Sequence, residues 1–344
     1  MSVNPSQLQA ILTAAIPARL PLLITGMPGI GKTDTVESVT ASLSNDLILE
    51  HPAVGDPTDF KGLPWGNQGA TEATFLPFGN FARALKATKP TVWFFDDLGQ
   101  APPSVQAACM QLFLARRVNG HVLPDCVTFL AATNRRIDRA GVSGILEPVK
   151  SRFVSIVELE PDIDSWCNWA FSHGIPATLI AFLRFRPELL CKFEATADLT
   201  NSPVPRTWAH LAKIESLSLP AVIESAVMAG SVGEGAALEY LAFRSMVKSL
   251  VNLDAILMNP DKATIPSKPS ELYAVSVGLA ARANDQNFAR IVTYANRLYT
   301  EAGKGEFAVL LIRDAIRRDE KIQYTDSFVR LNSGPLGQLI SGRS

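Results

Sequence analysis

Gly26-Met27-Pro28-Gly29-Ile30-Gly31-Lys32-Thr33 decides how the rest of the chain is read. It fits G-x-x-x-x-G-K-[ST]. The apolar run Leu20–Thr25, of strand length, precedes it, and a helical pattern over Lys32–Leu43 follows it. Each part has a chemical reason. Glycines let backbone N–H groups turn inward and approach phosphate oxygens closely. A helix beginning near Lys32 points its partial positive end at the same anion. Lys32 then reaches the β- and γ-phosphates, and the Thr33 hydroxyl ligates Mg²⁺. The nucleotide-contact stretch is Gly26, Met27, Pro28, Gly29, Ile30, Gly31, Lys32, Thr33 and Asp34.

Outward from the loop, further apolar runs of strand length occur at Leu47–His51, Thr91–Phe95, Val127–Ala132 and Val154–Leu159. Helical patterns at Phe81–Lys86 and Ser104–Ala115 lie between them. Near-continuous apolar strands alternating with helices predict an α/β unit: a five-stranded parallel sheet covered on both faces. Before it, Asn4, Pro5 and Gln7 carry the signature of a capped helix start. After Pro161 the strand signals stop. Helical patterns cover Asp162–Ser172, Ala177–Phe185, Arg206–Leu217 and Ala236–Leu250, and resume at Glu271–Arg282, Gln286–Ala302 and Glu306–Arg318. Asn259–Ser270 is polar and proline-bearing and reads as a linker. Gly230–Gly235 reads as a turn between helices, and Trp166, Trp169 and Phe171 as helical core. Leu331–Ser344 is Gly/Ser-rich and expected to fray.

Four further signals follow the loop. Val92-Trp93-Phe94-Phe95-Asp96-Asp97 is an apolar strand ending in two carboxylates. The first, Asp96, suits Mg²⁺; the second, Asp97, suits orienting and deprotonating the attacking water. Thr128–Asn134 ends a strand in an amide, and Asn134 can touch a γ-phosphate. Arg152, in Ser151-Arg152-Phe153, can stabilise charge on a transferring phosphoryl group, in cis or from a neighbouring molecule. Arg135, Arg136 and Arg139 compete for that role. Arg206 opens a helix in the all-helical part and can fold back onto the γ-phosphate. Asp59-Phe60-Lys61-Gly62 has the D-x-x-G form of a guanine-nucleotide switch, but no N-K-x-D or T-K-x-D follows, so ATP is the expected nucleotide.

These signals in this order resemble the AAA+ ATPases, over roughly residues 1 to 250. Asp59–Gly62, Asp97-Leu98-Gly99-Gln100-Ala101-Pro102-Pro103 and Ile145–Phe153 look like the MoxR-type and dynein-related (midasin-like) branch. The resemblance implies an AAA+ α/β nucleotide-binding core (1–160), an all-helical lid (161–250) and a helical C-terminal extension (251–344). It implies ATP and Mg²⁺ as ligands, a homo-hexameric ring, and Arg152 serving the neighbour's site. It also implies a remodelled protein client, possible in this branch as a von Willebrand factor A domain protein, and a β-hairpin at Val118–Val122, where Asn119-Gly120 favours a type I′ turn. One departure stands out. The family's Asp-Glu pair is Asp96-Asp97 here. The shorter side chain withdraws the carboxylate by about one C–C bond, ~1.5 Å, and misplacement on that scale can cost on the order of 100-fold in rate.

Composition narrows the field. The chain has 344 residues, 47% hydrophobic and 19% charged, with formal net charge -1. That is globular, long enough for more than one domain, and without the basic excess that indicates nucleic acid. The four cysteines form no C-x-x-C pair and the four histidines show no zinc spacing. No apolar stretch is long enough to span a membrane and no secretory signal is evident, so a cytoplasmic location is expected. Two other functions fit the same motifs: a nucleotide-gated scaffold with slow turnover, and a DNA-handling AAA+ motor.

Overall fold

The computed structural model describes residues 2–66, 72–138, 144–196, 198–250 and 252–341, with the backbone alone at 249 and 250. Arg139, one of the competing arginines, lies outside these residues. Two compact units divide the chain: Met1–Asp162 with Phe193–Ala197, and Ile163–Lys192 with Asp198–Ser344.

The first unit is built on a parallel sheet of β1 (Ser2–Val3), β2 (Leu22–Thr25), β3 (Asp46–Glu50), β4 (Thr91–Phe95), β5 (Val127–Thr133) and β6 (Ser155–Leu159). The order is β1-β6-β2-β5-β4-β3, with every pairing parallel. The five apolar runs supply five of these strands. The sixth, β1, has two residues and sits at the edge, too short to register as an apolar run. Every residue of β4 and β5 is buried, as covering on both faces requires. Trp93, Phe95, Phe129 and Ala131 share one core with Val105, Cys109, Leu112 and Phe113 of the Pro103–Ala115 helix. The alternate residues Val92, Phe94 and Leu130 are equally buried, because successive side chains of a strand face opposite ways. The opening helix, Pro5–Ala15, has the expected capping box: Asn4 Oδ1 accepts from Gln7 N–H at 2.8 Å, and Asn4 N–H donates to Gln7 Oε1 at 3.0 Å.

Two hairpins project from this unit. Arg117–Val118 pairs with His121–Val122 across Asn119 (φ 49°) and Gly120 (φ 85°), both left-handed as a type I′ turn demands. Leu63–Trp65 pairs antiparallel with Thr74–Leu76, two strands of three residues each with no apolar run to mark them. His121 Nε2 lies 2.8 Å from Phe75 O, which ties the two hairpins, and Asn119 Nδ2 donates to Lys61 O at 2.8 Å, at the end of the Pro57–Lys61 helix.

Among the described residues the second unit contains helices only. One core gathers Trp166, Leu179, Phe182, Trp208 and Tyr240; another gathers Leu279, Ile291, Tyr294, Leu311 and Ile312. Trp166 is core as expected, whereas Trp169 is 38% exposed and stacks on His173. The Gly230–Gly235 turn narrows to Gly233 (φ 84°), between helices Ala221–Val232 and Glu234–Leu250. The chain end departs from expectation: Pro335–Ser341 is helical, and Leu336 is buried in the second core. Inside this unit Arg184 pairs with the fully buried Asp314 through both terminal guanidinium nitrogens, Nη1 and Nη2. No helix among the described residues is long and apolar enough to cross a membrane.

Candidate functional site

Parallel strands bring their carboxyl ends to one edge of the sheet. Thr25 of β2 lies level with Thr133 of β5, and Phe95 of β4 lies level with Ala131. The residues that follow these ends, Gly26, Asn134 and Asp96, therefore emerge side by side. Open α/β sheets place ligands at such an edge.

The loop after β2 is shaped by two constraints. A Cβ on Gly26 would stand 2.7 Å from Leu159 O and 2.6 Å from Ile30 Cδ1, so only glycine lets the backbone pass there. Gly31 has φ 95° and directly precedes the Lys32–Ser42 helix. Lys32 is 6% exposed. Its Nζ donates to Gly26 O at 3.0 Å, to Met27 O at 2.9 Å and to Asn134 Oδ1 at 2.7 Å. Asp34 lies in the first turn of the same helix, where a carboxylate meets the positive end of the helix dipole.

Thr33 Oγ1 donates to Asp96 Oδ2 at 2.6 Å. Asp96 is 7% exposed, and its other oxygen accepts from Asp97 N–H at 3.0 Å. This hydroxyl and carboxylate fit Mg²⁺, which takes one or two protein oxygens and fills its shell with water and phosphate. No cluster of three or more His, Cys, Asp or Glu side chains that could hold a metal occurs among the described residues.

Asp97 departs from the strand into the left-handed region, φ 56° and ψ 32°. That conformation costs most residues roughly 1–2 kcal/mol, and Asp is among the types that tolerate it. Its Oδ1 accepts from Gln100 Nε2 at 2.8 Å and from Asn134 Nδ2 at 3.2 Å. Asn134 thus joins Lys32 to Asp97 through the two ends of one amide.

Lys32, Thr33, Asp96, Asp97 and Asn134 form one hydrogen-bonded group. Arg152 stands apart from that group. Its Nη1 donates to Ser151 Oγ at 3.3 Å, and its Nε is buried with no acceptor among the described residues. Arg135 is taken by Asp138, through two bonds at 2.8 and 3.0 Å, and by Glu158 at 3.3 Å. Arg206 is exposed on the second unit, at the start of the Pro205–Glu215 helix. A cavity of about 600 Å³ touches the same strand ends through Thr25, Thr133 and Asn134, but none of residues 26–34 lines it.

One member of the group, Gln100, and one neighbour, Glu50, whose carbonyl accepts from Asp96 N–H at 2.8 Å, are not singled out by the motifs. Gln100 sits three residues after Asp97 on a tight turn, a spacing that returns a side chain to the acid. Glu50, at the end of β3, lies level with Phe95 and accepts from Asn80 Nδ2 at 3.0 Å. Burial raises its carboxyl above the usual range, against the lowering effect of the Asn80 bond.

No protein-family model matches the chain, and no curated protein sequence matches it. Among solved structures, the Thermotoga maritima RuvB Holliday junction branch migration motor is 16% identical over 74% of this chain and 80% of that one, with TM-score 0.39. NtrX from Brucella abortus in complex with ADP is 14% identical over 96% of this chain and 68% of that one, with TM-score 0.36. At that distance neither assigns an activity, and the functional reading stands on the chain's own residues.

Proposed function

We propose that the chain is an ATP-binding and ATP-hydrolysing AAA+ ring subunit of the MoxR-like type that remodels or activates a protein partner. The observation that carries the ATPase reading is the hydrogen-bonded group at the strand ends: Lys32 and Thr33 on one element, Asp96 and Asp97 on a second, Asn134 on a third. In this reading the loop from Gly26 to Asp34 holds the phosphates and Lys32 exchanges its loop carbonyls for β- and γ-phosphate oxygens. Thr33 and Asp96 hold Mg²⁺, which supplies charge neutralisation when bound. Asn134 places the water, and Asp97 accepts its proton. The water oxygen bonds to the γ-phosphorus, and the bridging bond breaks with its electron pair on ADP.

The buried Nε of Arg152, without an acceptor among the described residues, supports its role as a group completed by a neighbouring subunit, since an unmade buried hydrogen bond costs roughly 1–3 kcal/mol. Arg135 is held by two carboxylates, so it is the weakest of the described competitors, and Arg152 is the preferred residue for that role. Arg206 would act from the helical part as a γ-phosphate sensor. The remaining elements of the proposal rest on the motif text of the branch: a homo-hexamer, a client that can be a von Willebrand factor A domain protein, a lid over 161–250 with an extension beyond it, and a cytoplasmic setting.

Phosphate release by the wild type compared with Lys32→Ala tests the activity. Wild-type turnover at least tenfold above the variant is expected, since the ammonium is the main countercharge to the phosphates (about 1.4 kcal/mol per tenfold). Equal rates would sink the enzyme claim. A nucleotide-gated scaffold is the second reading, favoured by the short arm of Asp97. Tight ATP binding with negligible release, rising in Asp97→Glu, would select it.

A further inference from the structure

We infer that Gln100 is a positioning residue, which sets the direction of the Asp97 carboxylate so that this short acid can take a proton from the attacking water. The inference rests on the ATPase reading above and adds to it a residue that the motif order does not assign.

Asp97 has left the strand for the left-handed region, so the alternation of the sheet no longer dictates where its side chain points. Contacts must do so. Two amides bond the same oxygen: Gln100 Nε2 at 2.8 Å and Asn134 Nδ2 at 3.2 Å. Oδ2 receives no hydrogen bond from the described residues and is the oxygen left to accept a proton. Of the two donors, Asn134 also accepts from Lys32, so its orientation answers to two partners. Gln100 has one. Its backbone N–H donates to Asp97 O at 3.0 Å while its side chain donates to Asp97 Oδ1, closing a small ring that fixes both ends of the acid.

The other end of the Gln100 amide marks this as more than turn geometry. Oε1 is buried and receives no hydrogen bond from the described residues, a burden of roughly 1–3 kcal/mol. A residue kept only to shape the turn gains nothing from an amide whose carbonyl is stranded. The amide is justified by its N–H end, on Asp97. In the step itself a water O–H bond breaks and the proton goes to Asp97 Oδ2. The water oxygen bonds to the γ-phosphorus, and ADP departs with the bridging electron pair. Gln100 takes no proton.

The test uses the full chain and two separate readouts: steady-state phosphate release, and binding of a fluorescent ATP analogue. Gln100→Ala should lose on the order of 10- to 100-fold in kcat, the scale of a misplaced catalytic group, with KM and analogue binding within about twofold. Gln100→Glu is nearly isosteric and guards against a folding artefact. Its carboxylate offers only acceptor oxygens where the amide offered N–H donors, so it does not replace the bond to Asp97 Oδ1. It should therefore lose kcat as Gln100→Ala does, with analogue binding within about twofold of wild type. Wild-type kcat in Gln100→Ala, an equal loss of binding and turnover, or wild-type kcat in Gln100→Glu would each overturn the inference. A wild type no faster than Lys32→Ala would remove the ATPase reading and this inference together. An active wild type matched by Gln100→Ala would remove this one alone.

Discussion

Residues at the strand ends differ in how their burial is compensated. Asp96 is almost as buried as Lys32, yet each has close partners, so neither charge is stranded. Glu50 is the contrasting case. Desolvation dominates its environment and raises the carboxyl's pKa, while Asn80 opposes that only in part. The sign of the pH effect follows from linkage. A carboxyl whose folded pKa lies above its unfolded value contributes most below the unfolded value, and that contribution is lost as pH rises through the folded one. Glu50→Gln keeps the Asn80 contact within reach and removes the charge. It should melt with the wild type at acid pH and a few degrees higher at neutral pH; identical melting at both would contradict the assigned cause.

Elements were legible in proportion to how strongly burial patterned them. The five apolar runs became strands because both faces of the sheet are covered, and continuous burial leaves a continuous apolar text. The hairpin Leu63–Trp65 with Thr74–Leu76 left no such trace: its strands have three residues each, and Leu63, Trp65 and Leu76 are exposed. The Ala221–Val232 helix escaped notice for a related reason, since Ala, Val, Gly and Ser dominate it and only Met228, Ser231 and Val232 are buried. At the site, Lys32, Thr33, Asp96 and Asn134 were readable because motif spacing follows from strand-loop-helix geometry. The tie from Gln100 was not, because it depends on a left-handed turn at Asp97 that no spacing announces. In the helical unit, Arg184 and Asp314 lie 130 positions apart, and their pairing was equally invisible. Removing one member of a buried pair strands the other charge. Asp314→Ala should therefore cost about 3–5 kcal/mol in chemical denaturation, whereas Arg184→Met combined with Asp314→Leu should cost far less. Equal losses in the single and double variants would show that the pair is not the cause.

At the scale of the whole molecule, each unit has its own buried core, and the hydrogen-bonded group from Lys32 to Asn134, proposed above to take nucleotide, lies wholly within the first unit. A ligand that binds only the folded first unit should stabilise it by about 2.7 kcal/mol at a hundredfold excess over Kd. In a unit of this size that is on the order of 5–10 °C in melting temperature. Mg·ATP should produce this rise in the wild type and not in Lys32→Ala, read by calorimetry; no shift in either protein would count against nucleotide binding itself.

The burial of Trp93 has an optical consequence. Of the five tryptophans, Trp65 and Trp93 belong to the first unit and Trp166, Trp169 and Trp208 to the second. Trp65 is 58% exposed on a hairpin, while Trp93 is fully enclosed among Phe81, Phe95 and Phe129, three residues before Asp96. An indole in apolar surroundings emits at shorter wavelength than one in water. Replacing the tryptophans at 65, 166, 169 and 208 with phenylalanine would leave a single tryptophan, selectively excited at the red edge of protein absorption, inside the strand that delivers the acidic pair. Its colour would then report the integrity of that strand without any attached dye.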